Sequence, residues 1–236
     1  MTEASRKLPE RSCPSPAVIA RALRLPFTAA SVLPYLAGSL LSAESSFHPV
    51  RFVLGLGAVV FTHLSANAIN DYADSKSGAD WQDTRWYHGI FGGSKLIQEG
   101  RLSERFYYGT AVLLGGLAAV SVLALCLWIG TGTPFLFYVL VLALAWAYSQ
   151  PPLKLSYRRL GEAAVFVLFG PVATMGGRYI QTGVFPDVSG LLLSLPFGFL
   201  TTAILFVNEV PDFAGDQAAG KDTWVAANGQ RRAYLP

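Results

Sequence analysis

The chain alternates between long stretches without a charged side chain and short segments in which the charges gather. Residues 106–153 contain no Lys, Arg, Asp or Glu and are broken only by Thr131-Gly132-Thr133-Pro134; residues 25–43, 52–70 and 188–208 are likewise charge-free. A helix needs about 20 apolar residues to cross a bilayer, so the 106–153 run holds two spans and a turn. The uncharged run at 163–177 is shorter, and reaches crossing length only if its helix starts at Gly161 or Glu162 and ends among residues 178–181. The pattern predicts an all-α, multi-pass transmembrane bundle over 17–236, following a polar tail at 1–16. Six helices are expected, near 17–42, 51–73, 106–130, 134–150, 161–182 and 188–211.

Composition agrees: 52% of residues are apolar, 14% are charged and the mean hydropathy is +0.40. Lys and Arg collect in cytoplasmic loops. Here they fall before the first helix (Arg6, Lys7, Arg11, Arg21, Arg24), between the second and third (Lys76, Arg85, Lys95, Arg101, Arg105), between the fourth and fifth (Lys154, Arg158, Arg159) and after the sixth (Lys221, Arg231, Arg232). Only Arg51 and Arg178 fall on the other side. This alternation predicts a cell (inner) membrane protein with an even number of spans and both termini cytoplasmic. The net charge of +3 follows from that topology, and no basic stripe suggests nucleic acid. Cys126 lies in an apolar helix and Cys13 in the tail, so no disulfide is expected, and residues 1–16 lack the apolar core of a secretory leader.

Two acidic stretches interrupt this apolar plan, "NAINDYADSKSGADWQD" at 67–83 and "ILFVNEVPDFAGDQAAGKDT" at 204–223, each ending an even-numbered helix on the same membrane face. On a helix, Asn70 and Asp74 share a face, as do His63, Asn67, Asp71 and Asp74 at spacings of four, four and three. Asn208, Asp212 and Asp216 recur every fourth residue, with Pro211 expected to kink or end the helix. Carboxylates crowded at the hydrocarbon boundary repel one another and are costly unless a cation offsets them. Mg²⁺ suits this pattern, because it takes oxygen ligands, binds through a few carboxylates and keeps positions for water or substrate phosphates. A phosphate or diphosphate ligand is thereby implied. Gly92, Gly93 and Lys95 in "FGGSKLIQEGRLSER", and Lys221 in "AAGKDT", place flexible backbone and positive charge beside the acids. One such cluster alone reads as a solvated helix end; two with the same spacing, on one face and each followed by a lysine, read as a site. His63 by itself reads as a hydrogen-bonded packing residue. A phosphate loop of the Gly-Lys-Ser/Thr type, an EF-hand and a Ser-His-Asp or Cys-His hydrolase are all excluded by spacing.

The combination resembles the UbiA family of intramembrane aromatic prenyltransferases. Asn70-Asp71-Tyr72-Ala73-Asp74 with Gly78 and Asp80 matches the first family motif, and Asn208, Asp212 and Asp216 with Ala219-Gly220-Lys221 and Thr223 match the second. The tracts "GGSKLIQEGRLS" and "YSQPPLKLSYRRLGEAAVFVLFGPVATMGGRYIQTG" look most like the branch that prenylates 1,4-dihydroxy-2-naphthoate for menaquinone. The resemblance implies a Mg²⁺-dependent membrane enzyme that takes a polyprenyl diphosphate and an aromatic acceptor. It implies Asn70, Asp74, Asn208 and Asp212 as catalytic residues, Asp71, Asp74, Asp80, Asp212 and Asp216 as metal ligands, and Lys95 and Lys221 as diphosphate binders. Tyr72, Tyr148 and Tyr157 are expected either to line the prenyl groove or to anchor at the membrane interface. The chain holds about six of the nine helices typical of that family, which implies a fragment, a split enzyme completed by a second chain, or a reduced form that oligomerises. Asp222 stands where the family often has a basic residue, and is expected to weaken diphosphate binding. Another acceptor (hydroxybenzoate, a chlorophyllide, haem or a glycerol phosphate lipid) and a non-catalytic remnant are the alternative readings.

Overall fold

The 49–77 segment shows how the chain builds its helices. Pro49, whose fixed φ and missing N–H cost nothing in a first turn, opens α3 (Pro49–Ser77), and Gly78, left-handed at φ 87°, closes it. At 29 residues this helix is about 43 Å long, against a hydrocarbon layer of about 30 Å. Its last turns, which carry the first acidic motif, therefore project past the apolar layer. This is a computed structural model that describes residues 14–41, 47–82 and 93–232, and among them every regular element is helical. Cys13, Arg85 and Gly92, with most of the 1–16 tail, lie outside the described residues.

The first predicted span is broken rather than continuous. α1 (Pro16–Ala22) ends where Arg24 turns left-handed at φ 50°, a 3₁₀ turn covers Leu25–Thr28, and α2 (Ala29–Leu40) leaves at 48° to α1. Pro26 is the cause on the chain, because it has no N–H to bond the Ala22 carbonyl four residues back and its ring would clash with that carbonyl if α1 continued. A short α4 (Ala79–Gln82) follows α3. α5 (Glu104–Ile129) is capped by Ser103, whose Oγ accepts the Phe106 N–H, and ends on left-handed Gly130; α6 spans Thr133–Ser149. The fifth segment comprises α7 (Gly161–Val167), a π turn (Leu168–Val172) containing Pro171, and α8 (Ala173–Thr182).

α9 (Val188–Ala218) continues through Pro196 and Pro211, so Pro211 does not end it. A proline's φ is itself helical, and the lost hydrogen bond is outweighed where the helix is packed on both sides of it. α9 packs on α7, on the π turn and on α10 (Trp224–Asn228). The six predicted segments are thus all helical. α3, α5, the α7–α8 unit and α9 are long and apolar enough to cross a membrane, the bent α1–α2 pair makes a fifth candidate, and α6, at 17 residues, is shorter.

Close helix contacts rely on small side chains, as is usual where lipid removes the hydrophobic drive between helices. Ser65 of α3 donates to the Ala111 carbonyl of α5 at 2.7 Å, and Ser39 of α2 donates to the Gly177 carbonyl of α8 at 3.1 Å. The large side chains Leu113, Val120, Leu127, Leu192, Phe199 and Leu200 face outward, as a lipid-facing surface requires.

Candidate functional site

Among the described residues the bundle surrounds a half-open cavity of about 650 Å³ whose lining joins both acidic motifs. α3 presents Gly55, Val59, His63, Asn67, Asn70 and Asp74 to it, a stripe at three- and four-residue spacing. α9 adds Asn208, Asp212 and Asp216, α4 adds Asp80, and the adjoining loops add Lys95 and Lys221. Eight of the nine residues singled out in the sequence therefore share one mouth. The rest of the lining is mostly apolar.

Lys221 joins the two motifs. Its Nζ lies 3.9 Å from Asp74 Oδ2 and 3.6 Å from Asp216 Oδ1, above the Tyr157 ring at 5.8 Å. Burial alone would lower the ammonium's pKa, but Asp74 and Asp216 raise it well above its ordinary value. Lys95 and Asp80 form a buried pair at 2.7 Å. Burial and then Asp74 raise the Asp80 carboxyl above the usual range, against the opposing charge of Lys95. Asn70 donates to Asp74 Oδ2 at 3.2 Å and to Ser149 Oγ at 2.9 Å. Tyr157 OH lies 3.2 Å from Asp74 Oδ1 and 2.6 Å from Ser77 Oγ. Its pKa is pushed up to about 12 by burial and by Asp74, so it stays a neutral donor.

Asp71 departs from expectation. It does not line the cavity; its Oδ2 accepts the Ser94 N–H at 3.2 Å and its Oδ1 takes the Arg24 guanidinium. The cause is helical phase, since one residue on from Asn70 is a rotation of about 100°. Asp71 thus fastens the Gly93–Lys95 turn and Arg24 behind the mouth rather than facing it. His63 bonds Ser31 Oγ through Nδ1 at 2.8 Å and meets the Phe169 ring edge-on, a packed residue that also borders the cavity. Tyr148 lines the cavity, whereas Tyr72 packs against the core formed by Val18, Ala68 and Tyr107 and on Tyr108, with ring centroids 5.4 Å apart. Asp222 is half-exposed and pairs with Arg159 at 2.9 Å.

Arg24 is a site residue that the sequence reading did not single out. It lines the cavity and donates to Asn70 Oδ1 at 3.2 Å, and the chain break that aims it also frees the Leu23 carbonyl for the Asn67 amide at 3.1 Å. The only signal was an arginine two residues before Pro26. Gly93, left-handed at φ 85°, leaves little room for a side chain: a Cβ would lie 3.0 Å from Arg24 Nη2 and 3.2 Å from Asp71 Oδ1. Glu162 and Glu209, both buried, were also missed. They accept the N–H groups of Trp224 and Val225 at 3.2 and 3.5 Å, which ties down the segment carrying Lys221.

Among the described residues no three His, Cys, Asp or Glu side chains converge closely enough to hold a metal ion unaided. The donors instead ring the mouth from two sides, with an ammonium between Asp74 and Asp216. That arrangement fits Mg²⁺, which uses one or two carboxylates and takes its remaining ligands from water and substrate phosphate.

Residues 31–235 match the model of the UbiA prenyltransferase family. A 1,4-dihydroxy-2-naphthoate octaprenyltransferase of Mycobacterium tuberculosis is 30% identical over 185 residues, covering 78% of this chain and 60% of that protein. The UbiA prenyltransferase domain-containing protein 1 of Gallus gallus is 29% identical, covering 87% of this chain and 60% of that one. A UbiA homologue from Archaeoglobus fulgidus, solved bound to DMAPP and Mg²⁺, superposes with a TM-score of 0.70 at 20% identity, covering 91% of this chain and 70% of that chain, and so shares the fold. The chain spans about 60% of the length of these curated relatives. With a family match across most of its length, paired acidic motifs at one cavity mouth and the same helical fold, the chain belongs to the UbiA prenyltransferase family.

Proposed function

We propose that the protein is a Mg²⁺-dependent prenyltransferase that moves an isoprenyl group from a polyprenyl diphosphate to an aromatic acceptor, 1,4-dihydroxy-2-naphthoate. One observation carries the reading: two acidic motifs from separate helices meet at the polar mouth of a cavity that is otherwise apolar. The acceptor follows from relatives named as naphthoate prenyltransferases in Mycobacterium tuberculosis and Escherichia coli. The alternation of basic loops supports a mouth on the cytoplasmic side of the cell membrane.

Asp74, Asp80, Asp212 and Asp216, with Asn70 and Asn208, are the residues to hold Mg²⁺, which when bound stabilises the negative charge developing on the departing diphosphate. Lys95 and Lys221 bind the polyanion directly, and Arg24 adds positive charge to the same mouth. The allylic C–O bond breaks with its electron pair leaving on the diphosphate. The acceptor ring then supplies the pair for the new C–C bond and loses a proton, or carbon dioxide from a carboxylated carbon. The apolar lining keeps water from the allylic cation during that interval.

The test is transfer of labelled geranylgeranyl groups to 1,4-dihydroxy-2-naphthoate in membranes containing the protein. Activity is expected to vanish with EDTA, to return with Mg²⁺, and to be lost in Asp74→Ala and Asp212→Ala. Undiminished transfer in both variants would falsify the site.

A further inference from the structure

Below the mouth, three elements bring a polar group into the mostly apolar wall of the cavity. α3 supplies His63, two turns from Asn70 on the stripe that lines the cavity, α2 supplies Ser31, and the π turn between α7 and α8 supplies Phe169. His63 is 7% exposed. Its Nδ1 lies 2.8 Å from Ser31 Oγ, and the Phe169 ring meets it edge-on with centroids 5.3 Å apart. Ser31 Oγ also lies 3.1 Å from the Thr28 carbonyl, and a serine hydroxyl has one hydrogen to give. Within a helix that hydrogen goes back to the carbonyl of the preceding turn. Nδ1–H then donates to Ser31 Oγ, which leaves a lone pair on Nε2. Nε2 has no hydrogen-bond partner among the described residues, and it is not sealed into the wall. Thr62 and Tyr35, which line the cavity nearby, are closed by the protein itself, each donating its hydroxyl to a backbone carbonyl at 2.7 Å, of Ala58 and Phe52 respectively. A histidine that served only to pack would have both nitrogens satisfied, as buried polar groups do. Here one is satisfied and the other is left to the cavity.

We propose that His63 orients the aromatic acceptor, its Nε2 taking a hydrogen bond from one ring hydroxyl; the proposal rests on the prenyl-transfer reading above. His63 and Asn70 are seven residues apart and therefore about 10 Å apart along the helix axis. That span takes a near-attack contact of about 3 Å, the width of one ring and a hydrogen bond of about 3 Å. A dihydroxylated ring laid along α3 thus reaches Nε2 with one hydroxyl while one of its carbons lies beside the diphosphate end of the donor. An isoprenyl tail has no hydrogen to give this lone pair and would leave it buried and unpaired, at a cost that a ring hydroxyl removes. The notch therefore discriminates in favour of the acceptor. Ser31 fixes the tautomer and the angle of the imidazole. Full transfer of the hydroxyl proton would leave a cationic ring in an apolar wall with no carboxylate in contact among the described residues, which is costly. The role is to hold the hydroxyl, and the bond strengthens as the attacked ring becomes electron-poor.

The experiment uses the full chain in membranes with geranylgeranyl diphosphate and 1,4-dihydroxy-2-naphthoate. It measures KM for each substrate and the inhibition constants of 1-hydroxy-2-naphthoate and 4-hydroxy-2-naphthoate, competitors that each keep one of the two hydroxyls. His63→Phe retains an aromatic ring and loses the lone pair. It is expected to raise KM for the acceptor about tenfold and to leave KM for the diphosphate within about twofold. The same variant is expected to weaken one competitor about tenfold and the other less than about twofold, because only one of them carries the bonded hydroxyl. His63→Gln, whose amide oxygen still accepts, is expected to bring the acceptor KM back to within about threefold of wild type. Ser31→Ala frees the imidazole without removing it and is expected to raise the acceptor KM about threefold, which gives a second readout should His63→Phe fail to fold. An unchanged acceptor KM overturns the proposal, as does equal weakening of both competitors or a donor KM that moves as far as the acceptor KM. Absence of transfer by the wild type overturns the transfer reading itself, and the proposal with it.

Discussion

Replacing Asp71 separates two roles that a carboxylate in this motif can have. Its side chain is 2% exposed, and it holds the Arg24 guanidinium on one oxygen and the Ser94 N–H on the other. Asp71→Ala strands both donors, and breaking a buried ion pair costs about 3–5 kcal/mol. Arg24 keeps 22% exposure and a bond to Asn70, so the lower end, about 3 kcal/mol, applies. For a chain of this size that corresponds to a fall in melting temperature of roughly 6–12 °C. Asp71→Asn still accepts the Ser94 N–H through its amide oxygen, and about 1–2 kcal/mol of the loss is expected to remain. The assay is thermal unfolding of the purified protein beside Mg²⁺ titration of transferase activity. Asp71→Asn is expected to leave the half-saturating Mg²⁺ concentration within about twofold of wild type, whereas Asp74→Asn raises it by at least about tenfold. If Asp71→Asn shifts the Mg²⁺ requirement as far as Asp74→Asn does, Asp71 is a ligand and the strut assignment is wrong.

Three further outcomes are expected. If Lys221 binds the diphosphate as proposed, Lys221→Met removes a charge-assisted contact worth about 1.5–3 kcal/mol and is expected to lower kcat/KM for the donor by roughly 10- to 150-fold. Steady-state kinetics checks this, and an unchanged kcat/KM for the donor would refute it. Glu162→Ala releases the Trp224 N–H and loosens the segment carrying Lys221, so KM for the donor is expected to rise with little change in kcat, while Glu162→Gln, which can still accept, retains most of the wild-type value. Gly93→Ala places a Cβ 3.0 Å from Arg24 Nη2 on a backbone at φ 85°; strain of about 1–3 kcal/mol is expected in thermal unfolding, with loss of activity.

The helical plan was legible in the charge-free runs because bilayer thickness imposes a length that few other constraints mimic. The pairing of Asn70 and Asp74 with Asn208, Asp212 and Asp216 was legible for a related reason, since fourfold spacing fixes a face on any helix. Helical phase relative to neighbouring helices was not, and this is why Asp71 was grouped with the ligands although the mouth faces Asn70. The break at Arg24 depends on partners 46 and 47 residues away, so local propensity carries only the faint mark of Pro26. Glu162 drew no notice because it is an isolated acid in its segment, and Glu209 because it sits one residue on from Asn208, off the face that Asn208, Asp212 and Asp216 share; their common task of holding Trp224 and Val225 exists only once α7 and α9 lie side by side. Pro211 does not end α9, because packing along the helix overrides a local rule.

The placement of Lys221 between Asp74 and Asp216 gives the bundle a built-in counter-ion. Carboxylates from two helices would otherwise push those helices apart, and the protein would need divalent cation simply to fold. With a covalently tethered ammonium screening them, assembly is decoupled from the cation supply. Chelation is therefore expected to silence the protein while leaving its melting temperature in place, unlike small metal-dependent domains that unfold when stripped.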